Sequence, residues 1–307
     1  MAKLRGSDRD LSYIKEVTPG VTPVNPAMKL MRTTGDTFQL SRDSFTSAEL
    51  RADRGITDMK LGNKQTSGTI NFELSYENFE DFLAGVLESD TEFTALDGSE
   101  IKNGKTLYSY TIEKGFVSGG HYQVYRGMSP NTLSLSLQSN SQVTGSIEFM
   151  GRTYTVGVAT IADSVVQPRQ GGLFDSYTGS IKEGGSTIGY VSSMNITITN
   201  GLETLFALFN DSVTDIIDGR CNVTGSVVIY FENSTMFDKF ANETESSIEF
   251  TLLDNLGNGY TFLLPRVKYS SADMPVNGEG VVMVTMPFQA LQDSVTGATV
   301  KVTKIVV

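Results

Sequence analysis

The chain has 307 residues, 39% hydrophobic and 19% charged, with 30 Gly, 8 Pro and a net charge of −11. That length suits two domains, and the composition suits short strands joined by many tight turns, not a helical bundle or a disordered chain. One cysteine and one histidine exclude a disulfide framework and the usual zinc constellations, and the acidic balance argues against gripping phosphate backbones.

The N-terminal MAKLRGSDRDLSYIKE carries early positive charge with no apolar stretch after it, so it does not read as a signal peptide. No run approaches the ~18 apolar residues of a membrane helix, and a soluble chain made in the host cytoplasm is expected. Prolines between Pro19 and Pro26 fix an extended arm, so 1–30 reads as an N-terminal arm. A first β domain is expected over 31–163. It opens with the alternation TFQLSR (Thr37–Arg42), followed by a long charge-dense loop, Asp43–Gln65. Ordered structureless loops of that length are uncommon unless they do something, and an arm that orders against another subunit is the functional reading.

In GTINFEL, Ile70, Phe72 and Leu74 point one way and Thr69, Asn71 and Glu73 the other, the period of a half-buried strand. The period then changes: Phe79, Phe82, Leu83, Val86 and Leu87 share a helical face, with Ser75 as the expected N-cap. KNGKT reads as a hairpin turn, and LYSYTIE, LSLSLQS and GSIEF as strands. Pro168 and Gly171–Gly172 interrupt the pattern, placing a linker at 164–172 and a second β domain at 173–293. There MNITITN, GSVVIYF and SSIEFTLLD alternate. NSTMFDKFANE gives a shorter helix with Met236, Phe237 and Phe240 inward, and DNLGNG a hairpin turn. Gly201–Asn222 is a second long loop, whose Leu205, Phe206, Leu208 and Phe209 are poorly suited to open water. The final ATVKVTKIVV, in a C-terminal arm at 294–307, reads as a strand that needs a partner edge. Asn195, Asn222, Asn233 and Asn242 fit glycosylation acceptors formally but read as strand and turn polarity.

The two halves repeat. Thr57–Asp58 answers to Thr214–Asp215, Gly62 to Gly219, Gly68 to Gly225 and, with one residue inserted, Phe79–Phe82 to Phe237–Phe240. The expected fold is therefore mainly β: two similar antiparallel β-sandwich or barrel domains, each flanked by one α-helix, with extended terminal arms and a long charged loop.

Candidate chemistry mostly falls away. Lys105–Thr106 has the wrong spacing and context for a phosphate loop. His121 has no nucleophile elbow to serve. Cys221 reads as a small packing residue. No acidic run has the spacing of a calcium loop. The expectation is a non-enzyme with no catalytic, cofactor-binding or metal residues.

Several segments are similar to one known family. They are TTGDTFQLSRDSFTSAELRADRGITDMKLGNKQTSGTINFELSYENFEDFLAGVL, YTIEKGFVSGGHYQVYRGM, GSIKEGGSTIGYVSSMNITITNGLE and FANETESSIEFTLLDNLGNGYTFLLPRVKY with MPFQAL. They resemble the major tail tube proteins of long, non-contractile-tailed bacteriophages. The resemblance implies a β-sandwich flanked by a helix, assembling into stacked rings that form the hollow tail of a virion, the conduit for DNA delivery. It implies that the loop Asp43–Gln65 packs on the neighbouring ring, with Arg51, Asp53, Arg54, Asp58, Lys60 and Lys64 as contact residues. The arms Leu11–Lys29 and Ser294–Val307 would make further contacts between subunits. Many relatives carry one such domain in six-fold rings. This chain carries two, so a ring of three with pseudo-six-fold symmetry is expected, a hexamer being the second arrangement. Partners would be the chain itself, the tape measure protein, the tail terminator and distal tail or baseplate proteins. Genomic DNA would pass without specific binding, and no membrane is involved. Outward acids on candidate lining strands are Glu73, Glu148 and Glu249. The competing readings are a soluble β-sandwich module binding carbohydrate or protein, which needs an exposed aromatic platform, and a hydrolase on a β scaffold, which needs a concave cluster of polar groups.

Overall fold

The computed structural model describes residues 5–231, 235–275 and 279–307, with side chains of 235–237 outside the description. The first half contributes β1 (Arg9–Lys15), β2 (Ala27–Leu30), β3 (Gly35–Asp36), β4 (Gln39–Thr46), β5 (Met59–Glu73) and helix α1 (Glu80–Val86). It continues with β6 (Glu100–Lys102), β7 (Tyr110–Phe116), β8 (His121–Gln138), β9 (Thr144–Gly151), β10 (Thr153–Gly157) and β11 (Ser164–Val166). The second half holds β12 (Gly179–Glu183), β13 (Ser186–Thr187), β14 (Val191–Thr199), β15 (Glu203–Leu205), β16 (Asp215–Ile217) and β17 (Asn222–Tyr230). Helix α2 (Thr235–Ala241), β18 (Ser246–Leu253), β19 (Gly259–Tyr269), β20 (Met283–Ala290) and β21 (Lys301–Ile305) complete it. The fold is mainly β, as the sequence predicts.

The duplication is visible in strand register. β4, β5, α1, β7, β8 and β9 recur as β14, β17, α2, β18, β19 and β20. Gly68 faces Phe149 on the neighbouring strand, and Gly225 faces Phe288. A Cβ on Gly225 would meet the Phe288 ring at 2.4 Å, so a small residue is required there. A bulge between Tyr110 and Ile112 recurs between Ser246 and Ile248. Bulges are placed features, and one at matched positions argues for common descent of the two halves.

The halves do not sit apart as beads. β8 is long enough to serve two layers: its first part lies between β7 and β10, its second between β9 and β14. The pairing β8–β14 joins the halves edge to edge, giving the continuous order β4–β5–β9–β8–β14–β17–β20–β19. Under it one contiguous core runs from Phe72, Phe79, Phe82 and Phe149 to Phe250, Phe262 and Phe288.

The first and last strands are both built into sheets of their own chain. β1 pairs β7 along its whole length and buries Leu11 and Tyr13, while β21 pairs β19 and β6. The unpaired edge expected of the C-terminal strand therefore finds its partner inside the molecule. Buried Lys304 of β21 fixes that end, 2.9 Å from Glu80 and 3.1 Å from Glu77 beside α1. The 164–172 segment is likewise tied to the first half: Arg32 donates to the Gly171 carbonyl at 2.7 Å and Asn78 to that of Arg169 at 3.1 Å.

Three local expectations need correcting. Ser75 does not cap α1. It forms a β-bridge with Leu173, and the next amide donates to Gly172; the chain then turns through 76–78, with Glu77 left-handed at φ of 65°, before Phe79 caps the helix. KNGKT is not a hairpin turn, because β6 pairs with β21 and not with β7. Asp43–Gln65 is a β-hairpin and not a structureless loop: β4 and β5 run on past the core on both sides, and 47–58 forms an open tip. The helical face Phe79, Phe82, Leu83, Val86 and Leu87 is buried as predicted, and Phe240 packs on the core. Met236, Phe237 and Asn233 lie outside the described side chains.

Candidate functional site

The most extended surface of the shared sheet is its outer face. Period-2 alternation sends Ile70, Phe72, Ile147, Phe149, Leu133, Leu135, Ile196, Ile198, Val227 and Met286 into the core. The opposite positions form unbroken rows. One runs Asn71, Ser146, Ser134, Thr197, Thr224 and Gln289, each facing the next across a strand pair. The next row holds Thr69, Glu148 and Thr132. On β5 from Ser67, on β9, on β8 from Thr132, and on β14, β17 and β20, the outward positions carry no Lys or Arg. Lys268 on β19 is the first cation met, at the rim, 3.8 Å from Glu245.

Of the three acids predicted from phase, the structure brings two together. Glu73 and Glu148 point from the same face of the β5–β9 pair. Glu249 lies in the other layer, on β18, where it faces Lys182 and pairs with its ammonium at 2.7 Å. Alternation alone gives a side, not a layer, which is why it grouped all three. It also drew attention to acids when the face is chiefly Ser, Thr and Asn. The same alternation, applied to uncharged residues, would have found them.

The projecting β4–β5 hairpin carries the other predicted residues. Arg51 clasps Asp53 (2.8 Å and 3.1 Å) near Glu49 at 4.0 Å, holding the Asp53 carboxyl below its ordinary range. The Gly55 amide also donates to Asp53, and Arg54 turns the chain with φ of 59°. The Asp58 carbonyl closes the tip by accepting from Ser47, and Lys60 lies opposite Phe45. Lys64 sits apart from the tip, bonded to Asp211 of the second half at 2.7 Å. Between these charges stand Phe45, Leu50, Ile56, Met59 and Leu61, all exposed. The charge pattern of the sequence concealed this apolar set.

The two long loops differ. Residues 201–221 fold back as the β15–β16 hairpin. Leu202, Val213 and Ile216 pack there against Leu107, Met150 and Phe206, and Asp215 pairs with Arg152 at 2.5 Å. Leu208 and Phe209 at the turn stay fully in solvent, while Leu205 and Ile217 on the two strands are partly exposed.

Other reactive groups are engaged structurally. Burial, with the Glu88 carboxylate adding to it, pushes the Cys221 thiol up to about 11, which removes thiolate character at neutral pH. His121 pairs with Phe116 at the start of β8, its ring 6.3 Å from that of Phe116. Among the described residues no three His, Cys, Asp or Glu side chains are grouped to hold a metal.

A broad, nearly neutral sheet face on a duplicated β scaffold, with a long exposed hairpin at one edge, defines a structural protein that works through surfaces. A family model described as phage tail tube protein matches residues 6–290. The chain belongs to the phage tail tube proteins, a structural component of the virion tail. Comparison with curated proteins finds none that matches. Among the described residues no helix is long and apolar enough to cross a membrane.

Proposed function

We propose that three copies of this chain close into a ring, that rings stack into the hollow tube of the tail, and that the Ser/Thr/Asn face lines the passage for DNA. The observation that carries this reading is the β8–β14 seam, which sets two copies of one structural unit side by side in a single sheet. That arrangement favours the three-chain ring over a hexamer with the second half as an outer decoration. It also favours the tube over a carbohydrate- or protein-binding module, since Tyr230 is the only aromatic among the outward positions of the six central strands.

The lining chemistry fits passage without adhesion. Lys and Arg bind duplex DNA by releasing its condensed counterions, a gain that a face without cations cannot offer. Hydroxyl and amide groups stay hydrated, and Glu73 and Glu148 repel phosphates weakly around the circumference. The β4–β5 tip reaches the adjacent ring, where its apolar residues leave water. The tape measure protein would occupy the lumen before ejection, and the terminator and distal proteins would cap the ends. The protein acts without cofactor or catalysis. Negative-stain microscopy of the concentrated protein tests this: hollow filaments or stacked rings with a lumen wide enough for duplex DNA are expected. Persistent monomers in the presence of the other tail proteins would overturn it.

A further inference from the structure

The chain makes its seam pairing once, yet the duplication supplies both partner edges twice. In the seam, Thr132–Gln138 of β8 pairs antiparallel with β14, Leu133 facing Ile198, Ser134 facing Thr197 and Leu135 facing Ile196. The second copy of the β14 edge is β4. Gln39 faces Ser67 as Thr197 faces Thr224, and Leu40 faces Thr66 as Ile198 faces Val223. The second copy of the β8 edge follows β19. Tyr269 faces Phe288 as Pro130 faces Phe149, and Asp273 faces Thr285 as Ser134 faces Ser146. Ser271–Pro275 thus stands where Thr132–Ser136 stands in the first half.

Both of these edges are open. β4 pairs with β5 alone, and among the described residues 271–275 makes no strand pairing on the side away from β20. The seam residues Leu133, Leu135, Ile196 and Ile198 are each 1% exposed, while Leu40 and Met274 in the corresponding places are 38% and 40% exposed. Open, regular edges with apolar side chains are templates for another strand.

We infer that the joint between neighbouring chains repeats the internal seam: β4 of one copy pairs antiparallel with Ser271–Pro275 of the next. Leu40 lies opposite Ala272, Gln39 opposite Asp273 and Phe38 opposite Met274. The contact is head-to-tail, so it generates a ring when the rotation of the internal seam is repeated. It carries the outer face on from chain to chain, with Asp273 and, at the rim, Lys268 as the charges beside the joint. The inference rests on the ring reading above and adds the edges and the register.

Paired cysteines test it. In a Cys221→Ala background, Leu40→Cys with Ala272→Cys, and separately Gln39→Cys with Asp273→Cys, are oxidised mildly after assembly. Directly opposed Cβ atoms ~5 Å apart are close enough for a disulfide after a small shift. A reducible ladder of dimers and closed rings is expected from at least one pair, and none from Leu40→Cys with Asp273→Cys, whose side chains leave opposite faces. Amide hydrogen exchange on the unmodified protein gives a second reading, with 39–43 and 271–274 becoming protected on assembly. Tubes in which neither pair links and these amides stay unprotected would overturn the register and leave the tube standing. Absence of tubes from the unmodified protein would overturn both.

Discussion

Leu135 and Ile196, from the two halves of the duplication, face each other across the β8–β14 pairing, each 1% exposed. The contact makes one folding unit of two repeated ones, because each half completes the other's sheet and core. Leu135→Ala should cost about 2–5 kcal/mol, as truncation in a packed core does. Ile196→Ala should cost a similar amount, and the double variant less than the sum, since the partners share one cavity. Urea denaturation checks this. The halves should unfold in one transition, and two separated transitions in the wild type would contradict the shared core.

The hairpin tip stands exposed, with little packing against its own chain. Leu50 is 99% exposed, and the ion pair of Lys64 with Asp211 of the second half lies at the base of the hairpin, away from the tip. Replacing 47–58 by a two-residue turn should leave the thermal midpoint within a few degrees while abolishing growth of filaments beyond single rings. Sedimentation and microscopy separate the outcomes. Loss of folding would show that the tip belongs to the core.

Glu88 gives the chain a pH dependence. Burial and the nearby Asp218 push its carboxyl from 4.5 up to about 7. Its Oε1 has no hydrogen-bond partner. Between those two values the folded state holds more protons than the unfolded state, so stability falls as pH rises from about 4.5 to about 7 and then levels. Glu88→Gln should remove that slope. At pH 8 the variant should be more stable than wild type by up to about 3 kcal/mol, with little difference at pH 4. Denaturation midpoints at the two pH values decide it.

Charge reversal tests the lining. Glu148→Lys with Glu73→Lys should assemble normally but retain duplex DNA in a salt-dependent way, each cation contributing one released counterion or nearly so. Glu249→Lys, on the other layer and facing Lys182, should destabilise the subunit slightly by like-charge repulsion without changing DNA retention. Equal retention by both variants would show that layer does not matter.

Much of the fold was legible in the sequence because alternation and the Gly68–Gly225 repeat are local signals. What escaped was long-range. Ser75 looks like a helix cap until Leu173, distant in sequence, claims its backbone. The C-terminal strand reads as an open edge until β19 accepts it. Glu249 shares its phase with Glu73 but not its layer, and only strand order separates layers. The seam itself was invisible, since nothing in LSLSLQS or MNITITN says that they pair with each other.

The central claim is that the neutral face of the shared sheet is the inner wall of a tube made from three-chain rings. Helical reconstruction of assembled tubes by electron cryomicroscopy tests it most directly. The account predicts three chains per ring, with Asn71, Ser134, Thr197 and Thr224 facing the lumen. A tube with that face turned outward or buried between rings would contradict it.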